Sequence, residues 1–265
     1  MIGPEAPRCQ TPMAGFTPGA ACAHPPLAEP RCSRSGGVTF GPVPANQYGM
    51  KPSGILPAHA EREPDSQLAL SRRRSLAQLV QLLRCGEVSA ALAFDILARR
   101  RRRGGDGEAL CLALASIAED ERRHEQWLSA WQRTLPAPTQ ELGGSALAVG
   151  FFRGLGTPDP GDHLARIAAL DSAVCLLLAS LRKAQPGLFG TCLSQILADE
   201  ARHVALASSY ARRHSPARRR QEQAAATREG LVGLLATSAD CLESLRMNPD
   251  QLLARLRRPP RCLCG

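Results

Sequence analysis

Apolar residues recur at intervals of three and four along most of the chain after residue 75, and this spacing predicts amphipathic helices. The four long helices are predicted from about Ser75 to Gly104-Gly105, from Glu108 to Arg133, from Pro160 to Pro186-Gly187, and from there to about His214. A further helix is predicted over about Gln221 to Arg246, and a short one after Pro249. The pattern therefore predicts an all-α protein.

The lengths of the connections predict how these helices are arranged. The first and second helices are joined by a short Gly turn, and the third and fourth by a short Pro-Gly turn. The connection from Thr134 to Gly161 is rich in Pro and Gly, shows no periodicity, and is predicted to be non-helical. Two helical hairpins joined by one long crossover form a four-helix bundle that differs from the simple up-down-up-down kind.

The domain organisation follows from the same pattern. Residues 1–68 are rich in Pro, Gly and Ala without sustained periodicity, so a disordered tail is expected. Residues 69–216 hold the four-helix bundle, and residues 217–265 form a helical, Arg-rich extension.

Composition narrows the class of protein and of partner. Hydrophobic residues make up 44% of the chain but aromatic residues only 4%, which favours packed helices over sheets. The net charge of +9 comes mainly from runs of arginine at 72–74, 99–103, 218–220 and 255–261. Such runs suit tRNA, an acidic protein or anionic lipid, or are simply a solvated surface.

Cysteine usage and hydropathy bear on the compartment. The ten cysteines show no paired C-x-x-C spacing, so neither a zinc ribbon nor a rubredoxin-type iron site is indicated. The chain has no apolar segment in its first thirty residues and no uninterrupted run of 18 apolar residues. We therefore expect a cytoplasmic protein without a membrane span and with mostly reduced cysteines.

An acidic residue interrupts the apolar stripe of each predicted long helix. These residues are Glu87, Glu121, Asp171 and Glu200. Carboxylates are rarely buried without compensation, because removing an unpaired charge from water costs several kcal/mol. Four acids on core-facing stripes require a common positive partner, and a pair of metal ions is the simplest one.

Two histidines share the faces of two of these acids. His124 follows Glu121 by three residues, and His203 follows Glu200 by three, so each pair lies on one helical face. One Glu-x-x-His from each of two helices, with one carboxylate from each of the other two, is the ligand set of di-iron and di-manganese bundles.

The predicted turns place these candidates at one height. The midpoint between Glu87 and the Glu121/His124 pair falls at Gly104-Gly105. The midpoint between Asp171 and the Glu200/His203 pair falls at Pro186-Gly187. Residues that are equidistant from the turn of an antiparallel hairpin lie side by side, so each hairpin brings its own candidates together.

The segments around the two Glu-x-x-His pairs are near-copies, since residues 120–124 and 199–203 both read D-E-x-R-H. This motif resembles that of the oxygen-activating members of the ferritin-like di-iron carboxylate superfamily. Over about residues 75–215 the resemblance implies a ferritin-like bundle that holds two iron ions, with manganese as an alternative. It also implies supporting roles beside the metal ligands for Asp120, Arg123, Asp199 and Arg202. Most members have Glu where this chain has the shorter Asp171.

The resemblance implies an oxidoreductase, which would use O2 to hydroxylate or otherwise oxidise an unidentified small-molecule or carrier-bound substrate. The chain contains no flavin, haem or iron–sulfur motif, so a separate electron donor is expected. Two alternatives are a ferroxidase or iron-handling protein and a metal-stabilised helical module that binds a partner. The sequence also leaves a homodimer open.

Overall fold

The computed structural model of the chain describes residues 70–103, 107–138 and 145–259. Within these ranges the secondary structure consists of α-helices without any β-strand, which confirms the all-α prediction. In chain order the helices are α1 (Leu70–Arg103), α2 (Glu108–Thr134), α3 (Ala146–Gly154), α4 (Pro160–Ala184), α5 (Leu188–His214), α6 (Ala217–Ala236), α7 (Ala239–Ser244) and α8 (Pro249–Arg257). The tail for which disorder is expected lies outside these residues.

Two pairs of long helices pack side by side, α1 with α2 and α4 with α5. The turn expected at Gly104-Gly105 lies outside the described residues, between the end of α1 and the start of α2. The second turn lies at Pro186-Gly187, where φ of Gly187 is 96°, a value that favours glycine. A Cβ atom on Gly190 would lie 2.7 Å from the backbone oxygen of Gln185. The tight α4–α5 turn therefore requires glycine at both positions.

The crossover between the hairpins is not entirely irregular, so the non-helical prediction for Thr134 to Gly161 is wrong over α3. This helix has nine residues, too few turns for its apolar residues to show a periodicity. Its start is nevertheless encoded, because the Ser145 hydroxyl accepts a hydrogen bond of 3.2 Å from the Ala148 amide.

The single helix predicted over Gln221 to Arg246 is also wrong in its extent, because α6 and α7 divide this segment. The break falls at Thr237, whose hydroxyl donates to the Leu234 carbonyl oxygen at 2.7 Å and so competes with the helical backbone bonds. The helix expected after Pro249 is present as α8. Buried residues of α6, α7 and α8 belong to the same apolar cluster as residues of α1 and α4.

The core consists of two apolar clusters, and the candidate metal ligands lie between them. One cluster includes Leu79 and Leu83 of α1, Leu178 of α4 and Leu193 of α5. The other includes Phe94 and Leu97 of α1, Leu114 of α2, Leu164 of α4 and Ala207 of α5. On every long helix the acidic candidate lies where the chain passes from one cluster to the other. A polar layer thus crosses the bundle between two apolar layers.

One helix, α4, has the length and apolar composition that would allow it to cross a membrane. Its most apolar window is 61% buried inside the protein, as is common for the core helix of a soluble protein.

Candidate metal centre

The structure brings all six predicted ligands into the polar layer and buries them. Glu87 comes from α1, Glu121 and His124 from α2, Asp171 from α4, and Glu200 and His203 from α5. None of these residues has more than 5% of its surface exposed. Each helix turns its acidic residue inward because neighbouring apolar residues at helical spacing fix that face against the core.

The ring of His124 faces three of the carboxylates. Its Nδ1 atom lies 3.3 Å from Oε2 of Glu87, 3.7 Å from Oε2 of Glu121 and 3.6 Å from Oε1 of Glu200. One ligand atom from each of these four residues lies within 4.8 Å of the others. This buried group could therefore hold a metal ion.

The ring of His203 approaches the same two glutamates from the other side. Its Nδ1 atom lies 3.1 Å from Oε1 of Glu121 and 3.7 Å from Oε2 of Glu200. The two histidine rings are 6.1 Å apart between centroids. Glu121 and Glu200 thus lie between the two imidazoles, and each presents one oxygen to His124 and the other to His203.

Several buried polar atoms of this layer make no hydrogen bond of normal geometry, although four of them lie in two His–Glu ion pairs at 3.1 and 3.3 Å. They are Oε2 of Glu87, Oε1 of Glu121, Nδ1 of His124, Oδ2 of Asp171 and Nδ1 of His203. A buried polar atom without a good hydrogen bond costs roughly 1–3 kcal/mol, and a metal ion that binds these atoms together would offset this cost. All are nitrogen or oxygen atoms of the types that bind divalent iron, manganese or zinc.

Each histidine is held by an aspartate from the opposite hairpin. Nε2 of His124 lies 3.1 Å from Oδ2 of Asp199, and Nε2 of His203 lies 3.3 Å from Oδ2 of Asp120. An ionised carboxylate can only accept, so Nε2 carries the proton in both rings. In the neutral imidazole this leaves the Nδ1 lone pair directed at the glutamates, where it is available to a metal ion.

Two arginines complete this network at the edge of the polar layer. Arg123 donates to Oδ1 of Asp120 at 2.7 Å and to Oδ2 of Asp199 at 3.0 Å. Arg202 also donates to both aspartates, at 3.4 Å to Asp120 and at shorter range to Asp199. The arginines lower the charge repulsion between the two aspartates and fix their position beneath the histidines.

The electrostatics of the metal-free site show how strongly the groups interact. Burial raises the pKa of Glu87 and Asp171 well above the usual range, and the neighbouring Glu121 and Glu200 raise it further. Burial also opposes ionisation of Glu121, but contacts with His124 and His203 lower its pKa to about 2.

The pKa values of both histidines are raised, which favours the charged imidazolium form. Burial would lower the pKa of His203, but Asp120, Glu121 and Glu200 raise it to about 11. The pKa of His124 rises well above its ordinary value for the same reason. In the metal-free protein the imidazoles therefore provide the positive charge that the glutamates require.

The carboxyl groups of Glu87, Glu121, Asp171 and Glu200 also form one wall of a cavity of about 50 Å³. The remaining walls are apolar and come from α1, α3, α4 and α6. The sequence does not predict this cavity, because one of its walls is Phe152 of α3, a helix that has no periodic signal in the sequence.

Two aromatic residues, Trp127 and Tyr210, each contact a histidine ring. Tyr210 of α5 is 3% exposed and stacks on His214 with 4.1 Å between ring centroids. Trp127 of α2 lies beside the candidate ligands, with 5.8 Å between its ring centroid and that of His124.

The fold and the site together define an all-helical protein with a buried Glu/His cluster that could bind metal. Comparison with protein-family models, with curated proteins and with solved structures found no match.

Proposed function

We propose that the polar layer is a two-metal carboxylate centre in a ferritin-like four-helix bundle, and that it activates dioxygen for oxidation of an organic substrate. The observation that supports this most directly is the repetition of the ligand arrangement about the pair Glu121 and Glu200. Glu87 and His124 lie on one side of the two glutamates, His203 lies on the other, and Asp171 interacts electrostatically with Glu121, Glu200 and His203.

Two ions account for the unpaired atoms better than one. The Nδ1 atoms of His124 and His203 face opposite oxygens of the same glutamates, so a single ion could not use both lone pairs and all four carboxylates. Two ions would be held by Glu87 and His124, by Asp171 and His203, and by the two glutamates Glu121 and Glu200 that lie between the histidines. Such ligand sets occur in di-iron and di-manganese bundles.

Iron is the favoured metal because carboxylate oxygen atoms outnumber imidazole nitrogen atoms in the set. Hard oxygen ligands suit iron and manganese, whereas the cysteine ligands of structural zinc sites are absent from the cluster. When bound, a pair of ferrous ions supplies electrons to dioxygen. Insertion of one oxygen atom into a substrate C–H bond releases the other as water and consumes two electrons and two protons overall, so an external donor must supply two electrons per turnover to restore the ferrous state.

The protein residues have separate tasks in this proposal. Asp120 and Asp199 hold the histidines with Nδ1 directed at the metals, and Arg123 and Arg202 hold the aspartates. The two apolar layers exclude bulk water from the centre. The small cavity beside the carboxyl groups offers a place for a substrate group or dioxygen.

The test combines metal content with oxygen uptake. Protein that is purified without added metal, then loaded with ferrous iron without oxygen, should bind two ions per chain. It should consume O2 repeatedly only when a chemical reductant is supplied. Glu121→Ala should abolish both properties while the far-ultraviolet circular dichroism stays helical. Glu119→Ala is the matched control, because Glu119 lies on the same helix but its side chain is 71% exposed.

Other outcomes would replace the proposal with an alternative. A large cage-like particle in size-exclusion chromatography, with iron oxidised and retained, would favour iron storage. Two bound ions without any oxygen uptake would favour a metal-stabilised binding module.

A polyanionic partner is proposed for one end of the bundle. The arginine end comprises residues 99–103, 166, 212–213 and 218–220. Arg101 lies over the ring of Tyr210 at 5.3 Å, so the ends of α1 and α5 meet there. Arg166 of α4 donates a hydrogen bond to Gln223 of α6 at 2.5 Å. The helices α4 and α6, which carry the remaining arginines of this end, therefore also meet. Guanidinium groups pair bidentately with phosphate and with carboxylate oxygens, so this surface suits either partner; we propose RNA, with an acidic protein as the alternative that a competition experiment tests.

A further inference from the structure

The cavity beside the carboxyl groups is almost entirely apolar away from them. Its other walls are formed by aliphatic side chains of α1, α4 and α6, by Gly86 and by Phe152. None of the described residues that line it is a lysine, arginine, histidine or amide. A charged or strongly polar group would lose its hydration there without gaining a hydrogen bond from these walls.

The size of the cavity restricts its occupant further. A water molecule needs about 10–15 Å³ of cavity volume, whereas an apolar cavity of about 150 Å³ binds benzene. A volume of about 50 Å³ lies between these limits. It fits dioxygen, a xenon atom or a chain end of a few carbon atoms, but not an aromatic ring.

One wall of the cavity is the ring of Phe152, which approaches α1 at Gly86. A Cβ atom on Gly86 would lie 3.5 Å from the tip of the Phe152 ring, so the missing side chain at Gly86 leaves space between them. Gly86 directly precedes Glu87, whose carboxyl group forms part of the opposite wall. The path from Phe152 to the carboxyl groups is therefore short.

Phe152 is held in place by the packing of α3. Ala148 is fully buried, and the neighbouring ring of Phe151 lies against Gly230 of α6, where a Cβ atom would come within 2.8 Å of it. The two phenylalanine rings meet edge to face with 5.2 Å between centroids. Phe151 thus anchors the helix to α6, while Phe152 faces the cavity.

We propose that this cavity binds a small apolar molecule, or the apolar end of a longer substrate, against the carboxyl groups, and that Phe152 limits the length of the group that fits. Its meaning for catalysis rests on the proposed oxygen chemistry, but the binding property belongs to the protein chain alone. The substrate class is then a short saturated or unsaturated hydrocarbon group rather than an aromatic or charged one.

The experiment measures binding of xenon and toluene to the full-length, metal-free protein. Xenon is followed by the chemical shift of ¹²⁹Xe in solution, and toluene by calorimetry. The wild type should bind xenon at one site and should not bind toluene. Phe152→Ala should bind toluene at least about tenfold more tightly than the wild type, because the removed ring enlarges the cavity. Gly86→Val should lose xenon binding, because its side chain fills the space.

Leu147→Ala is the control, since Leu147 lies on the same helix as Phe152 but is 52% exposed and is not one of the residues that line the cavity. Its ligand binding should equal that of the wild type. If Phe152→Ala does not fold, Phe152→Leu provides a smaller enlargement, and it should then bind toluene measurably. Toluene binding by the wild type, or equal binding by the Leu147 and Phe152 variants, would overturn the proposal. Xenon binding in a protein that shows no oxygen uptake would leave the cavity intact and reject only the oxygen chemistry.

Discussion

His124 on α2 and Asp199 on α5 belong to different helical hairpins, yet Nε2 of the histidine lies 3.1 Å from Oδ2 of the aspartate. The reciprocal pair, His203 and Asp120, has the same relationship at 3.3 Å. Each hairpin therefore positions the metal-binding nitrogen of the other. Arg123 contacts both aspartates, so the two pairs form one connected network across the bundle.

This network predicts that Asp199→Asn weakens metal binding without removing a ligand. The amide can present its NH2 group to Nε2, which would move the proton to Nδ1 and take away the lone pair that binds metal. We expect an affinity loss of about 10- to 100-fold, measured by competition with a chromogenic chelator. Asp120→Asn should have a similar effect through His203.

The control for this experiment is Asp95→Asn. Asp95 also pairs with an arginine, Arg122 of α2, but it lies outside the polar layer. Equal loss of metal affinity in this variant would mean that general destabilisation, rather than orientation of the histidines, is responsible.

Asp171→Leu should affect metal stoichiometry and stability in opposite directions. Asp171 is a buried acid whose Oδ2 has no hydrogen-bond partner, so a leucine of similar length removes an unpaired polar atom from the core. The free energy of unfolding of the metal-free protein should rise by about 1–3 kcal/mol in a urea titration. The number of ions bound per chain should fall from two to one. A less stable metal-free variant would show that Asp171 is satisfied without metal.

The sequence predicts the polar layer well because its signals are local and repeated. Helical spacing places Glu87 and the two Glu-x-x-His pairs on core-facing stripes, and the Pro186-Gly187 turn brings Asp171 to the height of Glu200 and His203. The supporting role of Asp199 is implied only by the resemblance to proteins with the D-E-x-R-H motif, and its hydrogen bond with His124 agrees with that role. Spacing within one helix does not reveal them, because the partners come from different hairpins.

The cavity could not be predicted in the same way. Phe152 lies on α3, which is too short for a periodic signal, and it meets Gly86 only in the folded protein. The only local sign of α3 is the Ser145 N-cap. The boundary between α6 and α7 was missed because it depends on one hydroxyl–carbonyl contact at Thr237.

Two glycines predict opposite effects of the same substitution. Gly190→Ala would place Cβ 2.7 Å from the Gln185 carbonyl oxygen at the α4–α5 turn, so the variant should lose about 1–3 kcal/mol of stability. Gly233 lies within α6 with nothing within 4 Å of an added Cβ, so Gly233→Ala should gain about 0.5–1 kcal/mol. Thermal unfolding of both variants checks the signs. An undiminished stability of Gly190→Ala would contradict the turn geometry, and a destabilised Gly233→Ala variant would contradict the open space at that position.

His163 predicts a loss of stability in acid. It is buried at the start of α4, and burial together with the charges of Arg100 and Arg166 lowers its pKa to about 4. Between about pH 6.5 and pH 4 the unfolded chain binds a proton that the folded protein does not, so the free energy of unfolding falls as the pH falls. From pH 7 to pH 4 the wild type should lose about 3 kcal/mol more than His163→Gln. If the free energy of unfolding from urea denaturation changes with pH by the same amount in both proteins, His163 is not responsible for the loss.

The arginine end predicts binding to RNA that depends on salt. A 20-nucleotide polyuridine should bind the wild type, with the logarithm of the association constant falling linearly with the logarithm of salt concentration. The double variant Arg102→Gln/Arg212→Gln removes exposed charges from α1 and α5 at this end. It should weaken binding and reduce the slope by about 1 to 2, because about 0.7 counterions are released per phosphate contact with single strands.

The matched control is Arg255→Gln/Arg258→Gln, which removes the same charge from exposed positions at and just after α8. Helix α8 packs in the apolar cluster on the far side of the polar layer, so this change should leave the slope unaltered. Equal reductions in both double variants would show that net charge alone attracts the RNA. Tighter binding of polyglutamate than of polyuridine, lost only in the first variant, would instead identify an acidic protein as the partner of this surface.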